Sequence, residues 1–276
     1  MRIKLSALRT IIAEAMISEI DIADVHSVVC AAGSTHIMQT CKIGKDKYFL
    51  KFSDENLFDE SDPSLQVLIE YLAYRIYGLY PGVTIPANIQ LVYDKVQQRV
   101  GLASSVVRGE MGKESIPAQK LGKMMSAGVY VDVFLANWDV VGTGSGNVIV
   151  DKNRAIRIDP GGALTFRARG GRKGKKFSPR AGEIKTMLDP HSNGAGEVLN
   201  YADMKLAMKE FVAIPWSTIS TEIKSVADEV SNELNSRKMK KLLSQWSDDV
   251  SEISSTLKAR HKSILDHIKS TLELDQ

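Results

Sequence analysis

The 276-residue chain has only two cysteines, Cys30 and Cys41. Both fall in strand-like stretches, which excludes a disulfide-stapled scaffold and predicts buried, reduced thiols suited to a reducing compartment. No apolar run reaches the roughly 18–20 residues a membrane-spanning helix needs, so no span is expected. Positive charge at Met1-Arg2-Ile3-Lys4 is followed by no long apolar stretch, and Glu14 and Glu19 interrupt what comes next, so a secretory leader is not expected. The five histidines, His26, His36, His191, His261 and His267, include no pair at a zinc-ligand spacing near a cysteine. There is no G-x-S-x-G and no Ser/His/Asp grouping, which removes the common nucleophilic hydrolases. Charge of one sign is scarce as well: the formal net charge is +3, too small an excess to indicate nucleic acid. Internal repeats and low-complexity segments are absent. What remains is an ordinary globular composition, 43% hydrophobic and 25% charged, in a length that suits one large domain or two small lobes.

Periodicity divides the chain into a strand-rich first part and a helix-rich second part. Leu5, Leu8, Ile11, Ile12 and Ala15 sit at helical spacing and predict an opening helix over 5–18. Val28-Val29-Cys30, Ile37 to Ile43 and Tyr48-Phe49-Leu50-Lys51-Phe52 read as strands, the last two joined by a Gly44–Lys47 turn. Asp62-Pro63 and Gly78 bracket a helix with Leu65, Leu68, Ile69, Leu72 and Ile76 as its buried stripe. Strands at Ile89–Tyr93 and Val100–Val107 follow, then a largely apolar helix from Ala118 to Ala136. From about Asn200 onward the chain reads as helix, with Met239, Leu242, Leu243, Trp246, Val250, Ile253 and Leu257 spaced as a packing face. The expected fold is α+β: residues 1–108 form a β-rich lobe with one long helix, and residues 109–276 a helical lobe holding one hairpin.

That hairpin carries the polar residues of most interest. Val148-Ile149-Val150 and Ala155-Ile156-Arg157-Ile158 flank the turn Asp151-Lys152-Asn153-Arg154. Pairing Val150 with Ala155 sets Asn147 opposite Ile158, with Asp159 beside it at the open end. Asp139 arrives from the glycine-rich stretch Gly142-Thr143-Gly144-Ser145-Gly146. An amide and a carboxylate then converge within reach of one divalent ion; the alternative is a surface hairpin with ordinary turn acids. Lys51 lies among apolar neighbours, where a buried ammonium needs a partner. Glu70 is the only acid in the 63–77 helix and can supply it. The competing reading makes Lys51 an edge-strand lysine and Glu70 a solvent-facing residue. Ala32-Gly33-Ser34-Thr35, one hairpin before Lys51, can present backbone N–H groups to an anion.

Taken together, Ala32-Gly33-Ser34-Thr35, Phe49-Leu50-Lys51, Asn137-Trp138-Asp139 to Asn147, and Ile158-Asp159-Pro160-Gly161-Gly162 resemble an atypical kinase of the HipA and phosphoinositide 3-kinase-like group. Phage and bacterial effector kinase-like proteins share the pattern, which covers about residues 25–190. The resemblance implies a bilobal protein-kinase-like fold, ATP with Mg²⁺ in the cleft, and phosphoryl transfer to a serine or threonine hydroxyl of a protein. It implies that Gly33, Ser34, Thr35 and Lys51 contact nucleotide, that Glu70 orients Lys51, that Asp139 is the base, and that Asn147 and Asp159 ligate the metal. It implies a cytoplasmic protein, or one delivered into a host cell's cytoplasm. Asn137-Trp138 stands where typical protein kinases carry His-Arg, Asp139 and Asn147 are eight positions apart instead of five, and Pro160 replaces the phenylalanine of Asp-Phe-Gly. A silent pseudokinase scaffold, or a small-molecule phosphotransferase or nucleotidyl transferase on the same fold, stays open.

After Gly162, Arg167, Arg169, Arg172, Lys173, Lys175, Lys176 and Arg180 crowd a short segment. They suit an acidic protein surface or a phosphorylated partner, or else a solvated loop. Nucleic acid is disfavoured, because only Phe166 and Phe177 interleave the charges.

Overall fold

The computed structural model describes residues 17–20, 25–28, 36–43, 45–53, 62–141, 147–167, 170–189, 191 and 195–274. The first strands are β1 (Ile17–Ile20), β2 (Val25–Val28), β3 (His36–Ile43) and β4 (Asp46–Ser53). Helix α1 (Ser64–Tyr77) follows, then β5 (Ile89–Asp94) and β6 (Arg99–Ser105). These strands form one sheet in the order β1-β5-β6-β4-β3-β2. All neighbours run antiparallel except β1, which pairs with β5 in parallel. The predicted opening helix therefore gives way to strand at Ile17 and Ser18, where pairing with β5 outweighs local spacing; its remainder lies outside the described residues. Cys41 is buried, and Cys30 lies outside the described residues.

Side-chain alternation gives β4 two faces. Tyr48, Leu50 and Phe52 join Cys41, Val92 and Ala103 in a small core on one side of the sheet. Lys51, one step out of phase, points to the other side, where α1 packs. Gly101 leaves the space that the Phe52 ring occupies, since a Cβ there would collide with it. Helix α1 is buried on almost every face, including Gln66 and Glu70, rather than along one stripe. Asp62 caps its start by accepting from the Ser64 amide (2.9 Å), and Ser64 Oγ accepts from the Val100 amide on β6 (3.1 Å).

The second half begins with β7 (Glu110–Met111), which extends the predicted hairpin of β8 (Val148–Asp151) and β9 (Arg154–Arg157) into a three-stranded sheet. Val150 does pair with Ala155. The predicted 118–136 helix is divided: α2 (Gly112–Ser115) precedes it, α3 (Ala118–Met125) ends in a 3₁₀ turn at Ser126–Gly128, and α4 (Val129–Phe134) resumes. Gly128, at the end of that turn, lets the Arg157 guanidinium pack against the backbone, because a Cβ there would collide with it. Short helices α5 (Glu183–Met187) and α6 (Gly196–Leu199) lead to α7 (Met204–Val212), α8 (Trp216–Ser236) and α9 (Lys240–Leu274). The predicted packing face of α9 is real: Leu242, Trp246, Ile253, Leu257, Ile264 and Ile268 are buried in a core continuous with α1 and α4. The fold is α+β, with a strand-rich N-terminal lobe and a helical C-terminal lobe. No helix of the described residues is long and apolar enough to cross a membrane.

Candidate active site

Strand β4 lies inside the sheet, so Lys51 is no edge lysine. Its Nζ donates to Glu70 Oε2 at 2.6 Å and to Asp159 Oδ1 at 2.5 Å, joining β4, α1 and the turn after β9 at one atom. Helix geometry explains why α1 reaches that turn. Gln66, Glu70 and Tyr74 are spaced i, i+4, i+8 and share a face. Gln66 Nε2 donates to the Gly161 carbonyl (3.2 Å), and the Tyr74 hydroxyl accepts from the Asp159 amide (2.8 Å). The polar stripe on an otherwise apolar helix was a readable signal for Gln66 and Tyr74, which sequence reasoning passed over.

One ammonium here serves two carboxylates. Burial acts to lower the Lys51 pKa, but Asp159 and then Glu70 outweigh it and hold it above the ordinary lysine value. Burial pushes Glu70 up to about 7, opposed by Lys51 and assisted by Asp159. Asp159 keeps 44% of its side chain exposed, unlike its two partners. It sits in the left-handed region, φ 51°, at the start of a 3₁₀ turn, Pro160–Gly162. A non-glycine residue there is uncommon and marks a held conformation.

Asp139 and Asn147 come together at the mouth of the hairpin. Asn147 Nδ2 donates to the Asp139 backbone carbonyl (2.6 Å) and to its carboxylate Oδ2 (3.1 Å). With its amide nitrogen so used, Asn147 has its amide oxygen to offer a cation. The Ile158 amide donates to the Asn147 carbonyl at 2.9 Å, so the hairpin register holds Asn147 one residue from Asp159 across the strands. Gly33, Ser34 and Thr35 lie outside the described residues, as do residues 142–146.

The segment carrying Asp139 is launched by the end of α4. The Ala136 amide bonds the Val133 carbonyl (3.0 Å) and the Asn137 amide the Asp132 carbonyl (2.9 Å), a Schellman turn with Ala136 at φ 51°. Beneath it, Arg157 at the end of β9 grips Asp132 of α4 through Nε (2.8 Å) and Nη2 (2.7 Å). The Tyr77 hydroxyl donates to Asp132 (2.8 Å) and accepts from Asn137 Nδ2 (3.0 Å). Every member of this network is buried. A single acid in the apolar run Val129–Phe134 hinted at Asp132; its partner was not legible.

A bidentate buried pair thus fixes the strand leading to Asp159 against the helix leading to Asp139. A strand lysine held by a helix glutamate, with an aspartate, an asparagine and a second aspartate following in that order, is the layout protein kinases use to hold ATP. No family model matches the sequence, and no curated protein matches it. Among solved structures the chain is similar to a Helicobacter pylori proinflammatory kinase, CtkA, with a TM-score of 0.45 and 12% identity over 89% of this chain and 98% of that one.

The basic segment departs from expectation. Lys173 is buried, with Nζ donating to the carbonyls of Ala136 (2.6 Å) and Gly162 (2.7 Å), and it lies 5.0 Å from the centre of the Trp138 ring. Arg172 pairs with Asp249 of α9 (2.5 Å) and stacks on Phe166 (4.5 Å). Neither is spare charge for a partner: the Lys173 ammonium is buried against the two carbonyls, and the Arg172 guanidinium, though exposed, is committed to Asp249. Arg167, Lys175, Lys176 and Arg180 are exposed; Arg169 lies outside the described residues. Among the described residues no three His, Cys, Asp or Glu side chains gather as a metal site. The donor set at issue is smaller: the half-exposed Asp159 carboxylate, one amide oxygen, and whatever oxygens a phosphate brings. That suits magnesium, which takes few protein ligands and binds with substrate phosphates.

Proposed function

We propose that the chain is an ATP- and magnesium-dependent phosphotransferase, a serine/threonine protein kinase of atypical, HipA-like type. The observation that carries this reading is the shared Lys51 ammonium, bonded to Glu70 and Asp159 beside the Asp139–Asn147 pair. Lys51 reaches the α- and β-phosphates, and Glu70, immobile within α1, keeps the ammonium aimed. Asp159 and Asn147 hold magnesium, which neutralises charge on the phosphate oxygens. Asp139 accepts the proton of the attacking hydroxyl as that oxygen bonds the γ-phosphorus and ADP leaves. Glycine-bearing Gly33-Ser34-Thr35 covers the phosphates. Arg167, Lys175 and Lys176 draw in an acidic protein substrate, in the cytoplasm of the producing cell or of a host cell.

The test is incubation with ATP labelled in the γ-phosphate, following transfer to the chain itself and to proteins of a lysate, with and without magnesium. Magnesium-dependent transfer lost in Asp139→Asn supports the reading. A chain that binds ATP yet labels nothing is a scaffold, and the proposal fails.

A further inference from the structure

Lys173 is an unusual choice for its position. Among the described residues its hydrogen bonds go to two backbone carbonyls and to no carboxylate. Desolvating an ammonium against dipoles alone is costly, and an apolar side chain of similar length would fill the space at less cost. Its two acceptors are far apart in function. Ala136 is the left-handed residue that turns the chain toward Asp139, and Gly162 closes the turn that begins at Asp159. The same ammonium lies over the indole of Trp138, the neighbour of Asp139. One backbone bond already joins these segments, from the Leu164 amide to the Leu135 carbonyl at 2.7 Å. Lys173 adds the connection nearest the reacting groups.

We infer that Lys173 is a positioning residue for phosphoryl transfer, holding the base-bearing segment and the metal-binding turn in register through the Ala136 and Gly162 carbonyls. The inference rests on the kinase reading above. The charged groups facing Lys173 are Glu183, Arg260 and Arg167. Glu183 is committed elsewhere, accepting from Arg260 (2.7 Å) and from the Trp138 indole nitrogen (3.0 Å). Burial lowers the Lys173 pKa to about 7, with Arg260 and Arg167 adding to the fall and Glu183 opposing it. Lys173 therefore loses its charge, and its attraction to the indole, as pH rises through neutrality. The clamp loosens under mildly alkaline conditions.

Two readouts test this. In the chain labelled with 5-fluorotryptophan, the Trp138 resonance, assigned with Trp138→Phe, shifts with a midpoint near pH 7, and the shift disappears in Lys173→Met. In the transfer assay Lys173→Met lowers kcat by about 10²-fold, the scale of a small misplacement of reacting groups, and changes KM for ATP far less, because Lys51 still anchors Asp159 directly. Lys173→Arg restores part of kcat. A folded Lys173→Met with wild-type kcat overturns the role, as does a Trp138 shift that persists in that variant. If Lys173→Met does not fold, the wild-type chain decides: the fluorine shift and the alkaline loss of kcat must share one midpoint, and separate midpoints refute the coupling. A wild-type chain that transfers no phosphate overturns the kinase reading and this role with it; an active chain indifferent to Lys173 overturns only the latter.

Discussion

Replacing Asp132 by asparagine isolates the contribution of the pair beneath the site. The carboxylate accepts three hydrogen bonds, two from Arg157 and one from Tyr77, and neither ionic partner is exposed beyond 3% of its side chain. Asparagine keeps the shape and removes the charge, leaving a guanidinium buried against an amide. Orphaning one member of a buried pair costs about 3–5 kcal/mol. For a chain of this size each kcal/mol moves the melting temperature by about 2–4 °C, so Asp132→Asn should melt about 6–20 °C below wild type. That is a large share of a total stability of about 5–15 kcal/mol. The control is the double variant Asp132→Leu, Arg157→Met, which removes both charges and should recover most of the loss. Melting followed by circular dichroism near neutral pH measures all three. An Asp132→Asn chain within about 2 °C of wild type, less than the shift expected from a single kcal/mol, refutes the argument, and so does a double variant as unstable as the single one.

Other outcomes follow from the site. Asp139→Asn should cut transfer by about 10²–10⁴-fold, the contribution of a positioned base, and leave ATP affinity by calorimetry nearly intact. Asp159→Ala should weaken magnesium-dependent ATP binding more than Asn147→Ala, because a carboxylate meets the cation with full charge and an amide with a dipole; equal affinities of both variants and wild type would remove the metal site. Lys173 also makes stability depend on pH. Its folded pKa of about 7 lies below the ordinary 10.5, so between those values the unfolded chain holds the extra proton and stability climbs with pH. Wild type should therefore gain in melting temperature relative to Lys173→Met across that window, and parallel curves would count against the burial. Neutralising Arg167, Lys175 and Lys176 together should raise KM for an acidic protein substrate and leave KM for ATP unchanged, with the difference fading as salt screens exposed charge.

Where local pattern is dense, the sequence was sufficient. Two short β-branched runs either side of Asp151–Arg154 set the β8–β9 register, and with it the place of Asn147 against Asp159. Lys51 and Glu70 stood out as single charges in apolar surroundings, which is what a buried pair looks like in one dimension. The failures have the opposite character. Strand β1 is four residues whose partner lies more than seventy positions away, and β7 is two residues long, so neither has a period to detect. The need for glycine at 128 depends on where the Arg157 guanidinium comes to rest. Lys173 and Arg172 sit in a run of like charges that reads as solvated; only the folded neighbours Ala136 and Gly162 account for the burial of Lys173, and only Asp249 for the pairing of the still exposed Arg172.

Arg260 gives the molecule a history in time as well as a shape. From α9 this wholly buried side chain donates to the carbonyls of Val133 (2.5 Å) and Phe134 (2.9 Å), which close α4, to the Ser178 carbonyl (2.9 Å) and to Glu183. Those carbonyls belong to the turn that delivers Asp139, so the cleft waits for a residue made long after every group that lines it. On the ribosome the N-terminal sheet and α1 can pair Lys51 with Glu70 early, while the other wall stays unfinished until α9 has emerged. A nascent or prematurely terminated chain would carry the polar side chains of the site without the scaffold that aims them.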